Sequence, residues 1–217
     1  MTTFARCASV GKRTTIMTPT LSVLSRLRTH PCGSIASVRH RSSRRHSACD
    51  QIEVHDDFFP PETQQSILRL MERPKWSFTG GRPPNQFWHM DGLEEDGYFR
   101  RDLFRLICEK LGRTFEIERI YANGQTATQS GAPHTDDGDT TFLYYPNPHW
   151  KPSWKGSLHF LTGREITRVV PYMPNRGLLF PASLVHYADA PSRRFTGLRV
   201  SLAYKLRSSP RLEVDRL

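Results

Sequence analysis

Apolar residues recur along this chain with two different periods, and the period changes at Gly112. Before that glycine, two segments have apolar residues three or four positions apart, the spacing of a helix that buries one face. They predict helices over Glu62 to Met71, after Pro60-Pro61, and over Tyr98 to Leu111, ending at Gly112. The stretch between them, Trp76 to Asp96, is rich in Gly, Pro and aromatic residues, and we interpret it as a long ordered loop.

Beyond Gly112 apolar and polar residues alternate, which is the pattern of strands that bury one face. Turn residues such as Asn123-Gly124 separate the segments, and a further strand-like segment, Ile52 to His55, precedes the first helix. The predicted strands after Gly112 are Phe115 to Tyr121, Thr140 to Tyr145, Ser157 to Leu161, Ile166 to Pro171, Gly177 to Phe180 and Leu198 to Leu206. The order predicts a mainly β, α+β fold, with N-terminal helices packed on one sheet of a β-sandwich or jelly roll.

The positive charge of the chain is concentrated in its first 49 residues. The formal net charge is +10, yet this leader holds nine of the 31 basic residues and none of the 21 acidic ones. The remaining residues, 50–217, are therefore close to neutral and form the predicted folded domain. A protein that binds nucleic acid through that domain would need a basic face on it, so we expect no nucleic-acid partner.

The leader, residues 1–49, is rich in Ser, Thr and Arg, which is the composition of an organelle transit peptide. We expect it to be disordered and to direct the protein to the mitochondrion, with the plastid as the second choice. The alternative is a basic tail that stays attached to a cytoplasmic protein and binds acidic partners. No apolar run approaches the roughly 18 residues needed to cross a bilayer, so we expect no membrane span.

The segment Ala132 to Asp139 contains a His-x-Asp motif formed by His134 and Asp136. In an extended chain, residues two apart point to the same side, so both side chains can converge on one metal ion. A second imidazole from a distant strand would complete two histidines and one carboxylate. That set suits Fe(II) and leaves coordination positions open. Alone the motif is weak, since such a pair more often only hydrogen-bonds around a turn.

The preferred third ligand is His186, because the intervening strands must cross the barrel before the chain returns to the metal. His149 lies in a proline-rich loop, where a surface position is favoured, and His159 is too close in sequence to the first pair. Asp137 would replace Asp136 as the carboxylate ligand only if the strand ended one residue later.

A cationic residue, Arg199, follows on the next predicted strand and shares one face of it with Ser201. A chelating dicarboxylate such as 2-oxoglutarate needs a cation for the carboxylate that lies far from the metal. A guanidinium can bind that carboxylate through two hydrogen bonds. We predict that Arg199 binds it, with Ser201 or a tyrosine beside it. The alternative is a surface arginine, which we expect of Arg193 and Arg194.

An ordered series of motifs runs through the second half of the chain. It comprises His134-Thr-Asp136, Phe142-Leu-Tyr-Tyr145-Pro-Asn147, Trp154-Lys-Gly156-Ser-Leu158-His-Phe160, Asn175-Arg-Gly177-Leu-Leu-Phe180, His186 and Arg199-Val-Ser-Leu-Ala-Tyr204. The series resembles the prolyl 4-hydroxylase type of Fe(II)- and 2-oxoglutarate-dependent dioxygenase. The resemblance covers about residues 115 to 206, with a weaker match from about residue 52.

The resemblance implies a double-stranded β-helix core and Fe(II) bound by the catalytic residues His134, Asp136 and His186. It implies that Arg199 binds the cosubstrate carboxylate, and it places Tyr145 and Tyr121 beside the cosubstrate, although both also fit as core aromatics. The implied reaction consumes 2-oxoglutarate and O₂, releases succinate and CO₂, and hydroxylates a C–H bond of a peptidyl proline or another amino-acid side chain. The resemblance also allows a role for ascorbate.

The chain departs from the family pattern in two places. Lys155-Gly156-Ser157 stands where the family often has Gly-Gly, and Arg199 stands where many prolyl hydroxylases have lysine. The carboxylate of Asp136 argues against a halogenase, where a small residue would leave room for chloride.

The substrate stays open among a peptide, an amino acid and a small molecule. Trp76 to Asp96 and Tyr145 to Lys155 are candidate lids over the site, or else surface loops packed by their own tryptophans. The alternative from another functional class is a cupin-like metal-binding or sensor domain without turnover, in which Arg199 would be dispensable.

Overall fold

Two antiparallel sheets form the fold in the computed structural model, which describes residues 48–208. The strands are β1 (Glu53–His55), β2 (Ser77–Arg82), β3 (Asn85–Met90), β4 (Phe115–Gln125), β5 (Thr140–Tyr145), β6 (Leu158–Thr162), β7 (Glu165–Val170), β8 (Arg176–Pro181), β9 (Val185–Ala188) and β10 (Arg199–Ser208). The larger sheet has the order β1-β8-β5-β10-β4-β3-β2 and the smaller one β7-β6-β9. This is the jelly roll that the alternating pattern predicted. Apart from its last two residues, the predicted leader lies outside the described range.

Two helices cover one face of the larger sheet, as the sequence predicted. They are α1 (Pro61–Met71) and α2 (Phe104–Leu111), and a π-helical segment, Tyr98–Leu103, leads directly into α2. Gly112 ends α2 in a left-handed conformation with φ of 61°, which glycine adopts without steric cost. No helix of the described residues has the length and hydropathy needed to cross a membrane.

Strand β10 lies between β4 and β5 in the larger sheet and is buried over its first eight residues. Its two faces carry different side chains because successive residues of a strand point to opposite sides. The face toward the helices is apolar and belongs to the core that includes α1 and α2: Val200, Leu202, Tyr204 and Leu206. The face toward the interior of the jelly roll carries Arg199, Ser201, Ala203 and Lys205.

A second apolar core fills the space between the two sheets. The larger sheet contributes Leu143 and Leu178, and the smaller sheet contributes Leu158, Phe160 and Val170. The helix-covered core and this inter-sheet core therefore lie on opposite faces of the larger sheet. The interior face of β10 meets the second one.

The interpretation of Trp76 to Asp96 as a loop is wrong, because strands β2 and β3 in this segment form a hairpin closed by Pro83-Pro84. The glycines of β2 interrupt the alternation of apolar and polar residues that would have predicted a strand. Glycine is needed there because a Cβ at Gly80 would lie 2.4 Å from the ring of Phe87 on the paired strand β3. The predicted turn at Asn123-Gly124 is also wrong. Both residues lie inside β4, which pairs with β10 on one side and with β3 on the other.

Leu202→Ala is expected to lower the free energy of unfolding by about 2–5 kcal/mol, because it opens a cavity at a fully buried position between β10 and the helices. Urea denaturation of the full-length chain, followed by circular dichroism, measures the change. Val169→Ala on β7 is the matched control, since that side chain is 46% exposed and a change within about 0.5 kcal/mol is expected. Equal losses in the two variants would contradict the assignment of this core.

Candidate metal centre

Two histidines from distant parts of the sequence are held opposite each other by a pair of backbone hydrogen bonds. The N–H of His134 donates to the carbonyl of His186 at 3.0 Å, and the N–H of His186 donates to the carbonyl of His134 at 2.9 Å. Residues paired directly across antiparallel strands place their side chains on the same face. The two imidazole centroids accordingly lie 4.5 Å apart. The segment that carries His134 thus extends the smaller sheet beyond β9.

Asp136 completes the cluster from two residues further along the chain. Its Oδ1 lies 3.4 Å from Nε2 of His134, and its Oδ2 lies 3.4 Å from Nε2 of His186. Three metal bonds of roughly 2.0–2.2 Å at right angles would separate neighbouring ligand atoms by about 3 Å. One ligand atom from each of the three residues lies within 4.8 Å of the other two, so contraction of the cluster would bring them onto one ion. Among the described residues, this is the group of His, Cys, Asp and Glu side chains with metal-binding geometry.

Backbone carbonyls fix which nitrogen of each imidazole faces the centre. Nδ1 of His134 lies 2.9 Å from the carbonyl oxygen of Ala132, and Nδ1 of His186 lies 2.8 Å from that of Leu184. Because a carbonyl only accepts, each Nδ1 carries the proton and donates it. Nε2 of each ring is left to face Asp136, and it is the atom available to a metal. Metal-binding histidines are oriented in this way by their outer hydrogen bonds.

A divalent cation needs neutral imidazole and ionised carboxylate, and His186 and Asp136 are shifted toward those states. Burial lowers the pKa of His186 to about 4, so its imidazole is neutral at pH 7. Burial alone would raise the pKa of Asp136. The hydrogen bond from His134 and the positive charge of Lys205 outweigh burial and hold that pKa below its ordinary value. The hydrogen bond to Asp136 in turn raises the pKa of His134, so a metal bound at Nε2 would displace a proton from this imidazole.

A buried lysine that the sequence analysis did not single out contacts this cluster. Nζ of Lys205 forms an ion pair with Oδ2 of Asp136 and lies 3.2 Å from the hydroxyl of Thr141. That hydroxyl donates to the same Oδ2 at 2.6 Å. The ammonium also lies 5.3 Å from the ring centroid of Tyr121. Lys205 lies an even number of residues after Arg199 on the same strand, so strand alternation places both on the interior face. That spacing was the feature of the sequence from which the position of Lys205 could have been predicted.

Arg199 lies further along the same face of β10 and is fully buried. Its Nε donates to the carbonyl of Gly156 at 2.9 Å, and its Nη1 donates to Oε1 of Gln125 at 2.8 Å. Its Nη2 and the hydroxyl of Tyr145 are buried without hydrogen-bond partners. Unmade hydrogen bonds of this kind cost about 1–3 kcal/mol each, and a carboxylate would accept both. The residues present therefore fit the far carboxylate of a chelating dicarboxylate.

Aromatic rings and one glycine set the position of this guanidinium. Its Cζ lies 4.7 Å from the ring centroid of Tyr172 and 5.3 Å from that of Tyr145. Gly156 has φ of 80°, and a Cβ there would lie 3.0 Å from Cδ and Nε of Arg199. Glycine is thus required at this position by backbone conformation and by the approach of the arginine. Lys155, where the family often has glycine, also adopts positive φ.

The other predicted cosubstrate residues, Tyr121 and Ser201, line a pocket of about 630 Å³ together with His134. Gln125, which the sequence analysis did not select, also lines it. Hairpin β2–β3 forms one wall, so the candidate lid at Trp76 to Asp96 does border the site. The residues that line the pocket include none from the other candidate lid, 145–155.

The residues that the sequence analysis considered but did not prefer as metal ligands lie outside the cluster. His149 is exposed in the loop after β5, and Asp137 is exposed beside Asp136. His159 lies on β6 opposite Tyr187, and the two rings stack at 4.9 Å. Its neighbours Leu158 and Phe160 belong to the inter-sheet core, so alternation directs His159 to the opposite side of the smaller sheet.

Comparisons with known proteins agree on the fold. Neither a family model nor a curated protein matches the sequence. A prolyl hydroxylase from Trichoplax adhaerens, solved with a peptide of hypoxia inducible factor, is 17% identical with a TM-score of 0.53, covering 72% of this chain and 83% of that one. A Pseudomonas putida prolyl-4-hydroxylase is 15% identical with a TM-score of 0.52, covering 74% and 94%.

A third solved structure, HygX from Streptomyces hygroscopicus with nickel and 2-oxoglutarate bound, is 12% identical with a TM-score of 0.58. The match covers 73% of this chain and 83% of HygX. At such identities the likeness shows the fold alone. It confirms the double-stranded β-helix that the sequence motifs implied, and the resemblance in fold to prolyl hydroxylases and 2-oxoglutarate oxygenases.

His186→Ala is expected to weaken the binding of a divalent ion such as Mn²⁺ by at least about 100-fold, since loss of a mere outer-shell partner already costs 10–100-fold. A titration of the full-length chain, followed by the electron paramagnetic resonance of free Mn²⁺, measures the affinity. His159→Ala is the control, because it removes an imidazole that lies outside the cluster. If both variants bind Mn²⁺ as the unaltered chain does, the cluster is not a metal centre.

Proposed function

We propose that the protein is an Fe(II)- and 2-oxoglutarate-dependent dioxygenase that hydroxylates a C–H bond. The observation that carries the proposal is the buried guanidinium of Arg199, with an unused donor, in the same jelly-roll interior as the His134–Asp136–His186 cluster. A protein that only bound a metal would need the cluster, but it would have no use for a second buried cation that lacks an anionic partner.

The cluster would hold Fe(II) through the Nε2 atoms of His134 and His186 and a carboxylate oxygen of Asp136. Three protein ligands leave coordination positions for a chelating cosubstrate and O₂. When bound, iron and 2-oxoglutarate supply an oxidation that releases succinate and CO₂ and inserts an oxygen atom into a substrate C–H bond.

The protein's own part is to bind and orient the cosubstrate and to exclude water. The free Nη2 of Arg199 and the hydroxyl of Tyr145 are the donors available to the far carboxylate. Behind them, Trp150 packs against Tyr172 at 4.2 Å and against Phe195 at 4.6 Å between ring centroids. This aromatic wall keeps the charge–charge contact in a low-dielectric environment, where it is stronger than in water.

The substrate we propose is an amino-acid side chain within a peptide. The pocket wall formed by hairpin β2–β3 includes the exposed Gly81 and the half-buried Phe87, which offer backbone groups and an aromatic surface to a substrate. Asn85 on the hairpin offers an amide donor and acceptor to the pocket, and Asn123 on β4 offers its amide N–H groups, since its Oδ1 contacts His89 at 2.8 Å. These groups suit a peptide backbone. The prolyl hydroxylases among the structural neighbours, one of them solved with a peptide, support this choice of substrate class.

The full-length chain, loaded anaerobically with Fe(II), is expected to develop a weak visible charge-transfer band on addition of 2-oxoglutarate and to form succinate when O₂ is admitted. His186→Ala should abolish both. Arg199→Met should raise the 2-oxoglutarate concentration for half-maximal band intensity by at least about tenfold, because it removes charged hydrogen bonds. Arg193→Met is the matched control, since Arg193 is exposed and should leave that concentration unchanged.

Folded, iron-loaded protein that gives neither the band nor succinate would overturn the proposal. It would instead support the cupin-like alternative, a domain that binds a metal without turnover. Equal behaviour of Arg199→Met and Arg193→Met would remove the carboxylate-binding role from Arg199 even if succinate were formed.

A further inference from the structure

A fixed positive charge stands beside the carboxylate of the metal cluster. The side chain of Lys205 is 5% exposed and that of Asp136 is 3% exposed, so water screens the contact between them very little. The ring of Tyr121 covers the ammonium, and the guanidinium of Arg119 lies 4.7 Å from the centroid of that same ring. Lysine is seldom buried in proteins unless it is paired with an anion, and here its anionic partner is a predicted metal ligand.

The net charge of this buried site changes as its ligands bind. Without a metal, the carboxylate of Asp136 and the ammonium of Lys205 cancel to about zero. An incoming divalent ion is repelled by this ammonium, whereas the 2-oxoglutarate dianion is attracted by it. A neutral residue at position 205 would remove the repulsion and the attraction together.

We propose that Lys205 acts on the two ligands of this site in opposite directions: its charge weakens binding of the divalent ion and strengthens binding of the 2-oxoglutarate dianion. The inference rests on the proposed function, since it assigns the anionic ligand of the same site. A neutral residue at position 205 would reverse both effects, so the divalent ion would bind more tightly and the dianion less tightly.

The local geometry separates the charge of Lys205 from its hydrogen bond. Thr141 donates to the same Oδ2 of Asp136 at 2.6 Å and is neutral. Thr141→Val therefore removes a hydrogen bond that orients the carboxylate and leaves every charge in place. Lys205→Met removes the charge from a side chain of similar length, and Lys205→Arg retains it.

Two affinities of the full-length chain are measured separately: for Mn²⁺ alone, and for 2-oxoglutarate when the chain is saturated with Mn²⁺. Lys205→Met is expected to bind Mn²⁺ more tightly and 2-oxoglutarate less tightly than the unaltered chain, each by about tenfold or more. Lys205→Arg should keep both affinities. Thr141→Val should weaken Mn²⁺ binding, the opposite of Lys205→Met, because it removes only a hydrogen bond that orients the carboxylate. Lys110→Met, at an exposed site on α2, should change neither affinity.

The inference would be overturned if folded Lys205→Met bound both ligands as the unaltered chain does, or if both affinities changed in the same direction. Lys205→Gln supplies a second neutral side chain should the methionine variant not fold. The unaltered chain's failure to bind Mn²⁺ would overturn the proposed function and this inference with it. Bound Mn²⁺ with equal affinities for both ligands in all variants would overturn this inference alone.

Discussion

The central position of β10 constrains both the core and the site. Because β4 and β5 pair with it on either side, its register is fixed along its length. One face must enter the apolar core under the helices, and the other must enter the space between the sheets. A slip of one residue would drive Arg199 and Lys205 into the helix-covered core, where neither charge has a partner. The register that builds the core is therefore the register that delivers both cations to the site.

The two buried cations of β10, Lys205 and Arg199, differ in whether the protein itself supplies an anionic partner. Lys205 has an anion within the protein, the carboxylate of Asp136. Arg199 has only neutral acceptors, the carbonyl of Gly156 and the side-chain oxygen of Gln125, and it keeps one free donor. A buried charge without a counter-charge is costly unless a ligand supplies one. The interior thus has a predicted metal cluster whose charge is balanced within the protein and a predicted anion site whose charge is not.

The sequence predicted the parts of this structure that depend on local spacing or on simple alternation. The i, i+2 relation of His134 and Asp136 and most strand positions are of this kind. The hairpin within Trp76 to Asp96 was not predicted, because its glycines make room for side chains of the paired strand and show no alternation of apolar and polar residues. Gly124 was misassigned to a turn because pairing on both sides of β4 overrides local preference. The site position of Lys205 was not predicted because lysine is normally exposed, and its anionic partner Asp136 is distant in sequence.

Access to the site is one-sided, and this separates substrate choice from the chemistry. The wall of Trp150, Tyr172 and Phe195 closes the region behind Arg199, so the segment that carries Trp150 is a wall rather than a lid. The side chain of His134 is 51% exposed, whereas those of the other two predicted ligands are below 10%. A substrate must therefore approach past His134, from the side of hairpin β2–β3. That hairpin lies at the edge of the larger sheet and contributes none of the three predicted ligands. Changes in the hairpin can therefore alter the choice of substrate while the three predicted ligands keep their geometry.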